Sequence, residues 1–308
     1  MALSDIILLM LPALVACLVL TGIHVYLGVH VLARGVIFVD LALAQVAALG
    51  ATFALMLGSE PDSAQAYFVS LGFTMVGAAL FTYARRLSDR VPVEAIIGIV
   101  YAVASASAII LADRLPHGAE EIREILVGNL LAVTWPHIAK TVGIYAVVGI
   151  VHYVFRRQFF LVSMDPKRAE AEGLNIARWD LLFYLSFGFV ITSSVAIGGV
   201  LIVFSYLVIP AVIVALFARS TTTRLLAGWG VGFVGSFLGM VASFQLDLPT
   251  GAAVVATFGV MLVLAIIVSQ LLPRKALTGS VYGTAHDRRA GEPPDGTVLA
   301  KDVGGSGA

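Results

Sequence analysis

The sequence predicts an all-α membrane protein, a polytopic bundle of about nine transmembrane helices with its N-terminus outside and its C-terminus inside. Of the 308 residues, 59% are hydrophobic and only 12% are charged, whereas a soluble domain has about a quarter charged residues. The mean hydropathy is +0.98. So few charges cannot cover a water-facing surface, so lipid must surround most of the chain. The 19 basic and 19 acidic side chains balance, which gives no indication of nucleic-acid binding.

The predicted spans are the stretches without Asp, Glu, Lys or Arg, because a charge near the bilayer centre is costly. They are residues 6–33, 41–59, 63–84, 95–112, 141–155, 181–218, 225–246 and 248–273. Seven have about the length of one crossing, roughly 20 residues. At about 1.5 Å per residue, 181–218 is nearly twice as long as the hydrocarbon layer is thick. Gly198 and Gly199 near its middle supply a break, which gives nine helices; eight is the alternative if one segment re-enters the membrane.

The basic residues predict the orientation of the bundle, because cytoplasmic loops carry an excess of Lys and Arg. If 181–218 crosses twice, most basic residues fall on one side, and that side is inside. These are Arg34, Arg85, Arg86, Arg90, Arg156, Arg157, Lys167, Arg168, Arg178, Arg219, Arg224, Arg274 and Lys275, against Arg114, Arg123 and Lys140 outside. We expect residues 1–275 to form the transmembrane domain. Residues 276–308 contain few large apolar side chains and are expected to be a disordered cytoplasmic tail.

Three loop segments have distinctive sequences. In the inside loop 163–175, Asp165 is a good N-cap, Pro166 suits the first helical position and Gly173 suits the position after the last turn. These residues predict a short surface helix, which is either a solvated connector or a part that transmits motion. Outside, residues 123–135 are apolar but too short to span, so they should lie in the interface or re-enter. Asp247, beside a turn-forming Pro and Gly, is expected at an outer mouth.

Few ionisable or strongly polar side chains occur inside the predicted spans, and such residues are functional candidates. The ones we single out are Asp40, Gln45, His24, His30 and His152. Asp40 and Gln45 are about 140° apart around a helix and do not share a face. His30 and His152 are interpreted as satisfied core residues. The chain has no HExxH motif and no phosphate-binding GxxxxGK[ST] loop, and its single cysteine excludes a thiolate metal cluster. We therefore predict that the chain is not an enzyme.

Six segments, in order and with matching spacing, resemble the permease subunit of the zinc/manganese/iron ABC importers, the family of the high-affinity zinc-uptake permeases. They are RGVIFVDLALAQVAALG (34–50), PVEAIIGIVYA (92–102), ILVGNLLAV (125–133), DPKRAEAEG (165–173), GVLIV…LVIPA (199–211) and DLPTG (247–251). No single segment is specific, but together they extend the resemblance over about residues 10–272.

The resemblance implies a pore in a bacterial-type plasma membrane, formed by two permease copies, as a homodimer or alternatively a heterodimer. It also implies that a separate ATP-binding subunit hydrolyses ATP, that an extracytoplasmic metal-binding protein delivers the ion, and that no cofactor is permanently bound. The ATPase is expected to dock on the inside loop helix, whose implied coupling residues are Asp165, Pro166, Glu170, Glu172 and Gly173.

One departure from the family concerns the second helix, where the family has an Asp and a His four residues apart. Here Gln45 takes the His position, Leu41 takes the Asp position, and Asp40 is displaced by one. A carboxylate–imidazole pair suits zinc or manganese, whereas an amide is a weak ligand. Three explanations stay open: Asp40 serves from an altered helix, His24 substitutes, or the path coordinates nothing and passes a hydrated or chelated ion.

The alternative function is a secondary transporter driven by an ion gradient. Such a protein would be expected to have paired buried carboxylates near the midplane and inverted repeats with broken helices. The sequence offers one candidate carboxylate, Asp40, and no evident repeat. The ATP-driven metal importer is therefore the preferred interpretation.

Overall fold

The computed structural model describes residues 3–61, 63–87, 90–128, 130–218 and 220–272, and every regular element in these ranges is helical. The helices are α1 (Leu3–Arg34), α2 (Val39–Met56), α3 (Ala64–Ala84), α4 (Val93–Ala112), α5 (Gly118–Val127), α6 (Trp135–Val154), α7 (Arg156–Met164), α8 (Pro166–Ala171), α9 (Ile176–Phe217), α10 (Thr221–Leu246) and α11 (Thr250–Leu271). Short 3-10 turns lie at Arg85–Leu87 and Leu130–Ala132. The all-α prediction is confirmed. The predicted tail, 276–308, lies outside the described residues.

Eight of the described helices have the length and hydropathy of a membrane span: α1 from Met10 onward, α2, α3, α4, α6, α9, α10 and α11. The longest, α9, has 42 residues, and its helical backbone breaks at Gly199, where φ is 72° and ψ is 170°. Glycine adopts this conformation without the steric penalty that a side chain brings. The predicted break is therefore present. It divides α9 into a first arm, residues 176–198, and a second arm, residues 200–217.

The two arms of α9 are antiparallel, as their contacts with α1 show. On the first arm, Asp180 binds Arg34, the last residue of α1. On the second arm, the carbonyl of Leu207 lies against Gly28, and the break itself lies beside Leu20. Both arms thus follow the same stretch of α1, and the described part of the chain contains nine membrane-length segments. We call the end with Arg34 and α8 the inner end; its assignment to the cytoplasm rests on the charge asymmetry and stays a prediction.

The α9 hairpin occupies the centre of the bundle, where it contacts α1, α2, α3, α6, α10 and α11. The helices that surround the hairpin pack closely against one another through small residues, as is usual between helices in lipid. A Cβ added to Gly50 of α2 would lie 2.8 Å from the Cα of Ser70 on α3, and one added to Gly239 of α10 would lie 2.6 Å from the Cα of Val254 on α11. Larger side chains at these glycines would push the helices apart.

Helices α6 and α9 begin furthest ahead of their charge-free stretches, and in both helices the charge near the start has a partner. Helix α6 begins at Trp135 and includes Lys140, whose Nζ lies 4.1 Å from the centroid of the Tyr67 ring. Helix α9 begins at Ile176 and includes Asp180, which accepts from two arginines. A helix can contain a charge near its end where a neighbouring helix compensates it.

Candidate functional site

A cavity of about 220 Å³ opens at the outer end, between α2, α3, α5, α6 and the first arm of α9. It is lined mainly by small apolar side chains and by hydroxyl groups, the latter from Ser63, Tyr67, Ser70, Thr141, Thr192 and Ser193. Its lining also includes four ionisable side chains, Glu121, Glu124, His137 and Lys140. The hydroxyls and ionisable side chains give this largely apolar cavity enough polar groups to receive a small polar molecule or a hydrated ion.

Three consecutive hydroxyl residues, 192–194, tie the first arm of α9 to its neighbours beside this cavity. Thr192 donates to the hydroxyl of Thr74 on α3 at 3.0 Å. Ser193 lies 3.1 Å from the hydroxyl of Tyr67, and Ser194 lies 2.6 Å from that of Tyr145 on α6. Ser193 and Ser194 also donate to carbonyls one turn back in the same helix. In lipid, where water supplies no partners, such bonds satisfy polar groups and hold the arm in register with α3 and α6.

The outer segment that the sequence places in the interface forms α5 and the 3-10 turn that follows it. Gly128, with φ 73°, ends α5 and lies directly against the α9 break at Gly198 and Gly199. Gly251, at the start of α11, lies against the carbonyl of Val127. The outer segment therefore covers the turn of the α9 hairpin, with backbone against backbone. The predicted outer-mouth residue Asp247 lies in the exposed turn between α10 and α11 and is not among the residues that line the cavity.

Asp40 lies in the first turn of α2 with no exposed surface, and neither of its carboxylate oxygens has a hydrogen-bond partner among the described residues. Gln45 is also buried, with its Oε1 unpartnered. His24, on α1, places Nδ1 2.8 Å from the carbonyl of Leu20, and its Nε2 has no partner in the described part of the chain. These atoms are free acceptors or donors inside the protein, which is costly without a ligand.

These three candidates are not gathered into one centre. Helix α2 packs against α3, α4 and α9, whereas the ring of His24 faces Tyr145 of α6, with the ring centroids 6.1 Å apart. Among the residues that the structure describes, no group of three or more His, Cys, Asp or Glu side chains is arranged to hold a metal ion.

A buried ion cluster, which we name the inner cluster, joins Arg34, Asp180 and Arg85. Arg34 and Arg85 both donate to Oδ1 of Asp180, the latter at 2.8 Å. The side chains of Arg34 and Asp180 are 0% and 2% exposed, and that of Arg85 is 24% exposed. Arg34 also stacks over Phe183, with 3.9 Å from Cζ to the ring centroid. The inner cluster thus ties α1, α9 and the end of α3 together at the inner end.

The two histidines above the inner cluster, His30 and His152, are buried and hydrogen-bonded, but Nε2 of His30 has no partner among the described residues. His152 lies between Tyr26, whose hydroxyl is 3.1 Å from Nδ1, and Ser186, whose Oγ is 2.8 Å from Nε2. Ser186 donates to the carbonyl of Phe183, so the ring accepts from Tyr26 and donates to Ser186. The Nδ1 of His30 lies 2.9 Å from Ser163 Oγ.

The inside loop forms the short helix that its residues predict. The side chain of Asp165 accepts from the backbone N–H of Arg168, Pro166 is the first helical residue, and Gly173 has φ 81°. The N–H of Leu174 donates to the carbonyl of Ala169, which closes the last turn. Glu170 is exposed, and Glu172 accepts from Arg157 and Arg168. These charge pairs keep α8 on the protein surface at the inner end.

Sequence reasoning missed the inner cluster and the cavity, because both depend on residues that are far apart in the chain. The available signal was Asp180, an acidic residue at the edge of the longest apolar stretch and on the side rich in arginine. A buried carboxylate there needs a cationic partner. Its partners, 34 and 85, could not be chosen from many arginines without the fold.

Comparisons with known proteins agree with this architecture. Residues 7–269 match the ABC 3 transport family. The manganese import system permease protein ScaB of Streptococcus gordonii is 24% identical over 246 residues, which cover 80% of this chain and 86% of ScaB. The chelated iron transport system membrane protein YfeD of Yersinia pestis is 28% identical over 190 residues, or 61% and 63% of the two chains.

Among solved structures, a chain of PsaBC from Streptococcus pneumoniae, in complex with Fab, superimposes with a TM-score of 0.71 at 20% identity. The match covers 84% of this chain and 91% of that one, which at this identity shows the shared fold. The family match includes every candidate span from α1 to α11. The chain therefore belongs to the ABC 3 transport family and is a multi-pass permease of the plasma membrane rather than an enzyme.

Proposed function

We propose that the chain is the transmembrane subunit of an ATP-driven importer of a divalent transition metal, with manganese or iron preferred to zinc. The observation that carries this proposal is the family match across residues 7–269, taken with relatives whose names refer to manganese and to chelated iron. This match favours an ATP-driven importer over transport driven by an ion gradient. The metal ion is the transported substrate and not a resident cofactor.

The working assembly consists of two permease copies, a separate ATP-binding subunit that hydrolyses ATP, and an extracytoplasmic metal-binding protein. The second copy is expected to be identical, with a heterodimer as the alternative. The binding protein delivers the ion to the outer end, where Asp247 is exposed in the turn between α10 and α11. Alternating access then follows from ATP binding and release at the inner end.

Helix α8 is the proposed docking element for the ATPase. Its single buried residue is Ala169, and its charged side chains project from the inner surface. The Asp165 cap at its start and Gly173 after its end fix both termini of this short helix. A short element with fixed ends can transmit a displacement without unwinding.

The ion path includes Asp40 and Gln45 on α2. A buried carboxylate with neither a partner nor a cation is strongly disfavoured, so a passing cation would relieve that cost. Both residues offer oxygen atoms, and oxygen donors suit manganese, whereas imidazole suits zinc. His24, with a free Nε2, is the third residue proposed for the path.

The test is reconstitution of the chain with its ATPase and binding protein in proteoliposomes. Uptake of manganese, iron and zinc is measured in parallel with ATP hydrolysis. We expect ATP-dependent accumulation of manganese or iron, with zinc slower. Accumulation driven equally well by an ion gradient in the absence of ATP would contradict the proposal, and a preference for zinc would contradict the assignment of substrate.

The docking role of α8 is tested separately with Glu170→Lys. Glu170 is exposed, so the exchange should leave the permease folded but weaken attachment of the ATPase and uncouple hydrolysis from uptake. The matched control is Glu60→Lys, which makes the same change of charge at an exposed position of the outer loop between α2 and α3. Coupled uptake that survives Glu170→Lys unchanged would rule out this docking surface.

A further inference from the structure

We propose that Ser163 and Arg34 form the link through which a displacement of α8 reaches the transmembrane helices. This inference rests on the proposed function, in which α8 binds the ATPase, and adds the internal residues that receive the motion. It assigns to Arg34 the role of a positioning residue. Neither residue belongs to the docking surface or to the proposed ion path.

Ser163 must move with α8 because only two residues, Met164 and Asp165, lie between it and the first residue of that helix. It lies in the last turn of α7, which ends at Met164, and Asp165 then caps α8. Unlike the exposed residues of α8, Ser163 is buried, with 2% of its surface exposed. A shift of α8 along or across the membrane surface must therefore move the hydroxyl of Ser163 inside the protein.

The hydroxyl of Ser163 lies between two side chains of α1. Arg34 donates to it from Nε at 2.9 Å, and the Nδ1 of His30 lies 2.9 Å away on the other side. A serine hydroxyl has one proton and two lone pairs, so it can accept from Arg34 and donate to His30. The end of α7 is thus held to α1 by two directional hydrogen bonds at Ser163. A shift of α8 would strain or break them.

Arg34 passes this contact on to two further helices. Its Nη1 donates to Asp180 on the first arm of α9, and Arg85 at the end of α3 donates to the same carboxylate oxygen. Because buried ionic partners are costly to separate, the inner cluster should move as a unit. The bond between Ser163 and Arg34 involves a neutral partner and is easier to exchange. Arg34 therefore connects a switchable contact on one side with a persistent one on the other.

The first arm of α9 connects the inner cluster with the outer cavity, which is why a displacement at Asp180 matters for transport. The first arm carries Asp180 near its inner end and the hydroxyls 192–194 beside the outer cavity. A tilt imposed at Asp180 would change the position of these hydroxyls relative to α3 and α6. The inner link and the outer cavity are thus on one rigid helix, whose far end is the break at Gly199.

The experiment replaces Ser163 by Ala in the complete transporter and measures ions taken up per ATP hydrolysed. The matched control is Ser186→Ala, which also removes a buried serine hydroxyl bonded to a histidine, His152, but is not attached to α8. We expect the transport ratio to fall at least fivefold in Ser163→Ala, with ATP hydrolysis retained, and to stay within twofold in Ser186→Ala. Ser163→Thr, which keeps the hydroxyl, should recover most of the ratio.

A second variant, Arg34→Lys, keeps a cation for Asp180 but removes the fork that also reaches Ser163. It should lower the transport ratio as Ser163→Ala does, and the double variant should be no worse than either single one. An unchanged ratio in both single variants, or losses that add in the double variant, would overturn the proposal. If the unmodified assembly shows no ATP-dependent uptake at all, the proposed function fails instead, and that outcome is separate from the ratio between variants.

Discussion

Two buried carboxylates near the inner end, Asp180 and Asp40, have opposite surroundings. The contrast distinguishes a carboxylate that stabilises the fold from one that we propose acts in transport. Asp180 accepts from Arg34 and Arg85 in the inner cluster. Asp40, at the start of α2, has no hydrogen-bond partner in the described part of the chain, although it is equally buried. A membrane protein can keep an ionised carboxylate in its interior only if something compensates the charge. For Asp180 the compensation comes from two arginines, whereas Asp40 has only the backbone N–H groups at the start of α2. We propose that a proton or the transported ion supplies the rest for Asp40.

This difference leads to opposite expectations for stability and for flux. Loss of the Asp180 carboxylate leaves Arg34 without its ionic partner and should damage the fold. Loss of the Asp40 carboxylate removes an unsatisfied group and should damage only transport. The predictions below test this division, beginning with the largest expected change.

The largest effect is expected for Asp180→Ala, because it leaves Arg34 charged and buried. Removal of one partner of a buried pair typically costs about 3–5 kcal/mol. Thermal unfolding of the purified permease in detergent measures the loss. The control is the double variant Asp180→Ala with Arg34→Met, which removes the orphaned charge and should recover part of the stability. A single variant as stable as the unmodified chain would contradict the structural role of the inner cluster.

Asp40→Asn, in contrast, should not lower the stability measured by thermal unfolding. The amide is neutral and nearly isosteric, so stability should be unchanged or should rise by up to about 1 kcal/mol, since an unpaired polar group is disfavoured in the interior. The comparison variant is Asp180→Asn, which should lower the unfolding temperature clearly. If Asp40→Asn destabilises the permease as much as Asp180→Asn does, then Asp40 has a structural partner and the contrast between the two carboxylates is wrong.

Gln45→His changes one donor of the proposed ion path from an amide oxygen to an imidazole. Because imidazole suits zinc and oxygen suits manganese, we expect the ratio of zinc to manganese uptake to rise severalfold. Leu41→Asp combined with Gln45→His restores an acidic residue and a histidine four positions apart on one helix face, and should raise the ratio further. An unchanged ratio in both variants would place selectivity elsewhere, for instance in the binding protein.

The smallest expected effect is a pH dependence of stability at the outer end, caused by Glu121. Desolvation raises the pKa of Glu121, which lines the cavity, and the charges of Glu124 and Glu120 act in the same direction while His117 opposes them. The folded state therefore holds the proton more tightly, so its stability should rise slightly as the pH falls from neutral through the raised pKa. Hydrogen exchange of the α5 amides measures this. Glu121→Gln should flatten the pH dependence, whereas Glu60→Gln, at an exposed loop position, should not.

The fold could be predicted from the sequence largely because membrane helices are defined by local composition. The charge-free stretches locate every span, and the paired glycines at 198 and 199 predict the break where φ is positive. The caps of α8 are likewise local, since Asp165 and Gly173 act within a few residues. Predicted and observed helix starts differ most in α6 and α9, which include Lys140 and Asp180, because these charges are compensated by other helices.

The sites could be predicted only in part. The sequence singles out Asp40 and Gln45 as polar residues in an apolar helix, but it does not indicate that they lack partners. The link from Ser163 to Arg34, and from there to Asp180, joins residues more than 100 positions apart. No periodicity or spacing brings such residues together; packing of α1, α7 and α9 does. The cavity is lined by five helices, so it too results from the packing of residues that are far apart in the sequence.

The most direct test of the central claim is ATP-dependent manganese uptake by the unmodified permease and by Asp40→Asn, in the same reconstituted assembly. Each value is normalised to the amount of folded complex and to ATP hydrolysis. If Asp40 contacts the passing ion, the variant keeps its ATP hydrolysis and loses at least 90% of its uptake, which corresponds to about 1.4 kcal/mol or more. Uptake at the unmodified rate would show that the buried carboxylate of Asp40 takes no part in transport.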